Sequence, residues 1–288
     1  MSSTPKVWFI TGASSGFGRC MTEYILSRGE IAVATLRGDP SILSSLTSKY
    51  PTNQLLILKL DVTDPLSISS AFNSAKETFG RIDVVFNNAG YAIIGEIEGT
   101  DEKLAQDLFE CNFWGSSRVS KEAIKIFREV NNPVGGRLLI NSSISGLNPV
   151  PGLGYYGASK FAVEGFTQAL ASELNPDWNI KVTLIEPGMF STKAIGQNAI
   201  YIPTLHPSPC TSINITRERL HQASLGKIEG VGSPMKAVQG FYDLANLDEP
   251  PLRFVIGKDA IKRARMQLET LERDIKVLEA WSEDLADE

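Results

Sequence analysis

From Val7 to Ile185, short apolar runs alternate with longer segments whose apolar positions recur every three or four residues. An apolar run bounded by turn residues predicts a buried strand, and the longer repeat predicts a helix that lays one face upon it. The strands read from this pattern are Lys6–Thr11, Ile31–Leu36, Leu55–Leu60, Ile82–Phe86, Leu139–Ser143 and Lys181–Glu186, with a last one at Leu252–Ile256. Strict alternation of strand and helix predicts an α/β fold: a doubly wound parallel sheet of about seven strands with helices on both faces. No Pro/Ser-rich or charged linker interrupts the pattern, so residues 1–288 are expected to form one domain.

Two stretches depart from the alternation. Between Thr192 and Leu252 prolines and small residues accumulate (Pro203, Pro207, Ser208, Pro209, Gly226, Gly230, Gly232), which marks an insertion over about 193–251. Helical patterns at Thr216–Leu225 and, after Ser233-Pro234, at Met235–Leu244 would let it cap a pocket. Beyond Gly257 an extension over about 258–288 carries Ile261, Ala264, Leu268, Leu271, Ile275 and Leu278 at alternating steps of three and four. That stripe predicts a helix from about Asp259 to Glu279, roughly 30 Å long, with one narrow apolar seam. The seam requires cover, from the domain's own surface or from a second protomer.

The chemistry begins at the first strand. Thr11-Gly12-Ala13-Ser14-Ser15-Gly16-Phe17-Gly18 follows it and precedes a helical pattern at Cys20, Met21, Tyr24 and Ile25. Glycines at 12, 16 and 18 let the backbone turn sharply and approach a pyrophosphate, which the helix N-terminus then faces. A sheet of this kind with such a turn is Rossmann-type. The spacing G-x-x-x-G-x-G is one residue longer between its first two glycines than the usual dinucleotide fingerprint. The second strand ends in Leu36-Arg37 rather than in an acid. A guanidinium there attracts a ribose 2′-phosphate, which an Asp or Glu would repel, so the expected cofactor is NADP(H). Ser14 and Ser15 add hydroxyl donors for the same phosphate.

Tyr156 and Lys160 stand four residues apart, thirteen residues after Ser143. On a helix, Tyr156 lies about 400° around from Lys160 and so nearly on its face, whereas Tyr155 lies about 500° around and off it. A nearby ammonium lowers a phenol's pKa from roughly 10 towards neutrality, which suits a general acid/base. Ser143 would hold the substrate oxygen while Tyr156 exchanges the proton.

With these residues in place, the chain from about Lys6 to Gly257 resembles the short-chain dehydrogenase/reductases. The resemblance extends to Asp61-Val62 after the third strand, Asn87-Asn88-Ala89-Gly90 after the fourth, Asn112 within Cys111–Gly115, and Pro187-Gly188 with Thr192 after the sixth. It implies that Asp61 meets the adenine, that Asn88, Ala89 and Gly90 line the cofactor, and that Pro187, Gly188 and Thr192 touch the nicotinamide carboxamide. Asn112 would position a water leading to Lys160, which would also bond the nicotinamide ribose. The implied reaction is hydride transfer between nicotinamide and a carbonyl carbon, with Tyr156 moving the oxygen's proton. The strand-two ending and the long insertion are similar to the 17β-hydroxysteroid and retinol dehydrogenase branch. Ile93, Ile94, Ser145, Leu147, Val150, Leu153, Met189 and Phe190 would wall a pocket for a small apolar carbonyl or alcohol substrate.

Composition trims the alternatives. The net charge is −5 and no basic cluster occurs, which argues against nucleic acid as a partner. No run of about 18 apolar residues occurs, and Met1–Pro5 leads straight into the first strand, so a cytoplasmic protein without a membrane span is expected. Three cysteines without metal-ligand spacing and two histidines, His206 and His221, outside the motif-bearing core offer little for a metal site or a Ser-His-Asp hydrolase. A dinucleotide-sensing scaffold would not need the Ser143, Tyr156 and Lys160 set. An epimerase or dehydratase would keep the scaffold and change the chemistry, but the unextended Gly12–Gly18 turn and the single-domain length argue against it. A homo-oligomer through the helices carrying Asn112 and Tyr156 is a further expectation from the resemblance.

Overall fold

A computed structural model describes residues 4–193, 198–203, 211–225, 227–282 and 285. His206, Pro207, Ser208, Pro209, Cys210 and Gly226, all noted in the sequence, lie outside the described residues. The strands in chain order are β1 (Val7–Ile10), β2 (Ile31–Leu36), β3 (Leu55–Lys59), β4 (Val84–Asn87), β5 (Ile93–Ile94), β6 (Gly136–Asn141), β7 (Ile180–Pro187), β8 (Ile200–Tyr201) and β9 (Arg253–Ile256). The helices are α1 (Gly16–Ser27), α2 (Ser44–Thr47), α3 (Pro65–Phe79), α4 (Glu102–Phe109), α5 (Ser116–Glu129), α6 (Gly154–Glu173), α7 (Thr211–Ser224), α8 (Pro234–Ala245) and α9 (Lys258–Leu278).

Seven strands form one parallel sheet in the order β3-β2-β1-β4-β6-β7-β9. Both faces are covered, which explains why the strands read as unbroken apolar runs. Alternate residues of β1 serve opposite faces. Trp8 and Ile10 pack with Met21 and Ile25 of α1, Phe86 and Phe241 of α8, while Val7 and Phe9 pack with Phe72 of α3, Val85 and Phe127 of α5. The Phe9 and Phe72 rings stack with centroids 4.1 Å apart. Each such fully buried large side chain contributes roughly 1.5–3 kcal/mol relative to exposure.

Because the sheet is parallel, the carboxyl ends of its strands share one edge. Gly12, Arg37, Asp61, Asn88, Ser143 and Gly188 follow six different strands, yet the topology brings them to that edge. Strand order reverses between β1 and β4, and there Thr11 N–H donates to Phe86 O at 3.1 Å, opening the crevice that such sheets use for ligands.

The described residues of the insertion include one short strand and two helices. β8 pairs with β5, placing Ile200 beside Ile93 and Tyr201 beside Ile94. Two-residue strands lack the length that a periodicity can reveal, so the sequence pattern did not predict this small sheet. The first insertion helix begins at Thr211, five residues before the expected Thr216, with Thr216 Oγ1 donating to Ser212 O at 3.0 Å. α9 lies where the stripe predicted it. Its first turn is anchored by fully buried Ala260, but from Leu268 onward its apolar seam faces outward.

Beneath the site, Arg253 of β9 pairs with Glu164 of α6 at 2.5 Å and also with Glu186 of β7. Both carboxylates are buried. Burial, then the neighbouring Glu164 charge, pushes the Glu186 carboxyl up to about 7. A carboxyl raised above its unfolded value contributes stability that is complete below pH ~4.5 and is lost as pH rises through about 7. Glu186→Gln keeps the neutral form at every pH. Its melting temperature should match the parent near pH 5 and exceed it near pH 8, by a stability gain on the order of 1–3 kcal/mol. A lower melting temperature for Glu186→Gln at pH 8 would mean that the Arg253 ion pair outweighs burial.

Candidate active site

The glycine turn after β1 folds closely on itself. Gly12 has φ +71° and Gly16 φ +55°, left-handed conformations that other residues resist. A Cβ on Gly18 would lie 2.3 Å from Gly12 O, and one on Gly12 would lie 3.1 Å from Ala89 Cα. Side chains would therefore fill the cradle in front of the α1 N-terminus, where a pyrophosphate meets the helix dipole. The residues present fit a dinucleotide. Ser15 N-caps α1 without bonding its backbone, and its Oγ accepts from Asn198 Nδ2 at 3.1 Å, which ties the insertion to the turn. Ser14 is half-buried on the same turn. Phe17 differs from expectation: its ring packs in the core against Phe190 and Phe241, with centroids 5.3 and 5.4 Å away. Only the Phe17 backbone can face a ligand.

A chain of hydrogen bonds runs from this turn to Lys160. Thr11 Oγ1 accepts from the backbone N–H groups of Asn88 at 2.8 Å and Ala89 at 3.0 Å. Asn88 Nδ2 donates to Thr11 O at 2.8 Å, Asn141 Nδ2 donates to Asn88 Oδ1 at 3.0 Å, and Lys160 Nζ donates to Asn141 O at 2.8 Å. The ends of β1, β4 and β6 are thus fixed relative to α6. Gly90 lies close to the ammonium, since a Cβ there would be 3.8 Å from Lys160 Nζ. Asp61 Oδ1 accepts from Thr63 N–H at 2.9 Å, which orients the carboxylate, and Val62 beside it is buried in the core. Arg37 is exposed at the end of β2.

Ser143, Tyr156 and Lys160 converge. Ser143 begins the turn after β6, where its Oγ accepts from Ser145 N–H at 3.1 Å and lies near the Tyr156 hydroxyl. Lys160 Nζ sits 5.9 Å from the Tyr156 ring centre. Tyr155 and Tyr156 both pack against Ile93, Leu108 and Ile202, and buried Ser142 Oγ has no hydrogen-bond partner among the described residues. The electrostatics differ from the simple expectation. Burial raises the Tyr156 phenol, opposed by the nearby Ser143 side chain, and burial lowers Lys160 to about 8. In this site the phenol stays protonated at neutral pH, the form that can donate to a carbonyl oxygen.

Asn112 lies in a π-helical stretch, Glu110–Gly115, between α4 and α5. Such a widened turn displaces a side chain from the helix's regular face and is frequent at functional sites. Asn112 Nδ2 donates to Tyr91 O at 3.0 Å and Ser159 Oγ at 3.1 Å, while its Oδ1 accepts from Tyr91 N–H at 3.1 Å. Both amide N–H groups are committed to protein partners, so the side chain braces the loop after β4 against α6.

The apolar wall assembles in part. Ile94, Leu153 and Leu220 of α7 form a buried cluster against which Val150, Tyr156 and Met189 pack. Ile93 belongs to a neighbouring cluster with Leu108 and Ile202, against which Tyr156 also packs. Phe190 belongs to the core through Phe17, as described, and not to this wall. Ser145 is buried in the turn and Leu147 is half-buried beside it. Past Pro187, Gly188 N–H donates to Ile256 O at 2.9 Å and Met189 N–H donates to Asp259 Oδ2 at 2.8 Å. A Cβ on Gly188 would come within 2.2 Å of Asp259 Oδ1, so that position excludes a side chain. Thr192 flanks the cradle, 3.5 Å from where a Gly16 Cβ would stand. α9 also reaches the Ser143 turn, through Arg263 to Asn148 O and through Asn148 Nδ2 to Gln267 Oε1 at 3.1 Å.

Thr11, Asn141, Asp259 and Leu220 escaped the sequence reading. Thr11 and Asn141 sit inside strand patterns, where polar residues at strand ends are the available signal. Asp259 and Leu220 come from elements whose placement over the site depends on tertiary folding.

The short chain dehydrogenase family model matches residues 6–199. An uncharacterised oxidoreductase of Schizosaccharomyces pombe is 36% identical over 286 residues, covering 99% of this chain and 94% of that protein. The chain therefore belongs to the short-chain dehydrogenase/reductase family of oxidoreductases. Human retinol dehydrogenase 8 is 29% identical over 262 residues, covering 88% of this chain and 82% of that protein. A short-chain dehydrogenase structure from Streptomyces avermitilis superimposes with a TM-score of 0.87 at 31% identity, covering 98% of each chain.

Proposed function

We propose that the protein is an NADP(H)-dependent carbonyl reductase or alcohol dehydrogenase acting on a small apolar substrate. The observation that carries this reading is the placement of Tyr156 against Lys160, whose Nζ is held by the bond chain that starts in the glycine turn, with Ser143 just past the end of β6. The dinucleotide, when bound, supplies or takes the hydride. Gly12, Ser14, Ser15, Gly16, Gly18 and the Phe17 backbone would hold its phosphates. Asp61, Asn88, Ala89, Gly90, Pro187, Gly188 and Thr192 would line the remainder, and exposed Arg37 would meet the 2′-phosphate.

The chain's own residues then manage the proton. Ser143 Oγ orients the substrate oxygen and Tyr156 donates to it. The buried Lys160 ammonium offsets the negative charge that develops on Tyr156 as its proton leaves. Asn112 and Asn141 are positioning residues that hold the backbone around them. Ile94, Leu153, Met189 and Leu220 exclude water and favour an apolar carbonyl compound. The similarity to retinol dehydrogenase 8 supports a retinoid-like substrate, and the apolar wall suits steroid- or polyketide-like compounds as well.

Titration with NADPH and NADH, followed by absorbance loss against ketones, aldehydes, quinones and steroids, tests the proposal. Preferential NADPH binding with oxidation by an apolar carbonyl class is expected. Dinucleotide binding without turnover across the panel would instead support a sensing role.

A further inference from the structure

Ile261, Leu268, Leu271, Ile275 and Leu278 are each between 43% and 67% exposed on α9. They alternate in steps of three and four with half-buried Ala264, the a and d positions of a three-heptad coiled coil. The inner surface of the helix is already used. Ala260 is buried, while Asp259, Arg263 and Gln267 bind the loops after β7 and β6. A seam so regular, on the side its own domain leaves open, is built for another helix.

The charges beside the seam identify that helix. The positions following each d residue read Arg265, Glu272 and Glu279, and Lys258 precedes them at the same seven-residue interval. Basic residues thus occupy the first half of one flank and acidic residues the second half. Laid antiparallel against a copy of itself, the helix matches Ile261 with Leu278, Ala264 with Ile275 and Leu268 with Leu271, each pair occurring twice. The same register sets Lys258 against Glu279 and Arg265 against Glu272 on both sides. A parallel pair would instead place Asp274 against Glu279 and create no attractive flank pair. From Lys258 to Glu279 the helix carries nearly balanced charge, which provides no basic face for an anionic membrane.

We propose that the outer seam of α9 docks a second copy of this chain as an antiparallel helix pair, Leu268 facing the partner's Leu271. Three heptads make a short contact, so dissociation in the micromolar range is expected. The assembly is independent of which carbonyl compound the enzyme accepts.

Mass in solution, followed by light scattering across dilution, tests this on the full chain. The parent should show a concentration-dependent association that Leu268→Glu with Ile275→Glu removes, halving the mass at high concentration. Both positions are exposed in the monomer, so circular dichroism and NADPH binding should be unchanged. Arg265→Glu should weaken association about tenfold, because Glu would then oppose Glu272 twice. Arg265→Glu combined with Glu272→Arg should restore it, since residues seven apart on one helix do not touch. An unaltered mass in the Leu268→Glu, Ile275→Glu variant overturns the proposal, as does a parent that stays monomeric at every concentration. Failure of the double charge reversal overturns the antiparallel arrangement. Sedimentation of the parent, but not the seam variant, with phosphatidylcholine vesicles would assign the seam to lipid instead.

Discussion

Replacing Tyr156 by Phe is expected to lower kcat for carbonyl reduction by about 10³-fold, within the range that general acid catalysis supplies. The substitution removes only the hydroxyl near Ser143. The ring keeps its place beside Ile94, Leu153 and Leu220. NADPH affinity should therefore stay within about threefold of the parent, because hydrogen bonds among Thr11, Asn88, Asn141 and Lys160 do not involve the phenol. Pre-steady-state absorbance and fluorescence titration separate the two effects. Turnover retained above about a tenth of the parent's would remove Tyr156 from the acid/base role. The pH profile offers a second view. With Lys160 near 8 and Tyr156 raised, reduction should proceed with a protonated phenol at neutral pH and fall as Lys160 loses its charge above about 8.

Arg37→Ala is expected to weaken NADPH binding by about 10- to 100-fold while leaving NADH binding nearly unchanged. Charge-assisted hydrogen bonds to phosphate are worth roughly 1.5–3 kcal/mol, and the lost contact exists only with the 2′-phosphate. Arg37→Asp should add repulsion and invert the preference. The neighbouring position is unsuitable for an acid: Leu36 is 2% exposed in the core beneath the turn, so Leu36→Asp would bury a carboxylate and destabilise the fold. Isothermal titration with both cofactors decides the matter. An equal loss for NADPH and NADH would show that Arg37 acts on the fold or on a phosphate common to both.

The sheet was legible because parallel strands buried on both faces leave unbroken apolar runs, and each ends at a residue unsuited to the core, such as Gly12, Arg37 or Asn88. Helix periodicity likewise placed Tyr156 beside Lys160, whose Nζ sits 5.9 Å from the ring centre. Side-chain direction outside regular elements was harder to read. Phe17 and Phe190 stand next to residues expected to bind cofactor or substrate, yet the two rings meet each other in the core. Apolar character allows either outcome, and the choice depends on what packs behind, here Phe241 of α8. The sign of the Tyr156 shift was misjudged for a related reason. A spacing of four brings a cation close, but it does not report the burial that opposes phenolate formation.

The Asp259 carboxylate that accepts from Met189 N–H lies 70 residues further along the chain than the loop it anchors. During synthesis the glycine turn, Ser143 and Tyr156 leave the ribosome well before it. A nascent chain can thus form most of its sheet while the loop after β7 still lacks its anchor, and chains halted before α9 would carry Ser143, Tyr156 and Lys160 beside an unanchored loop.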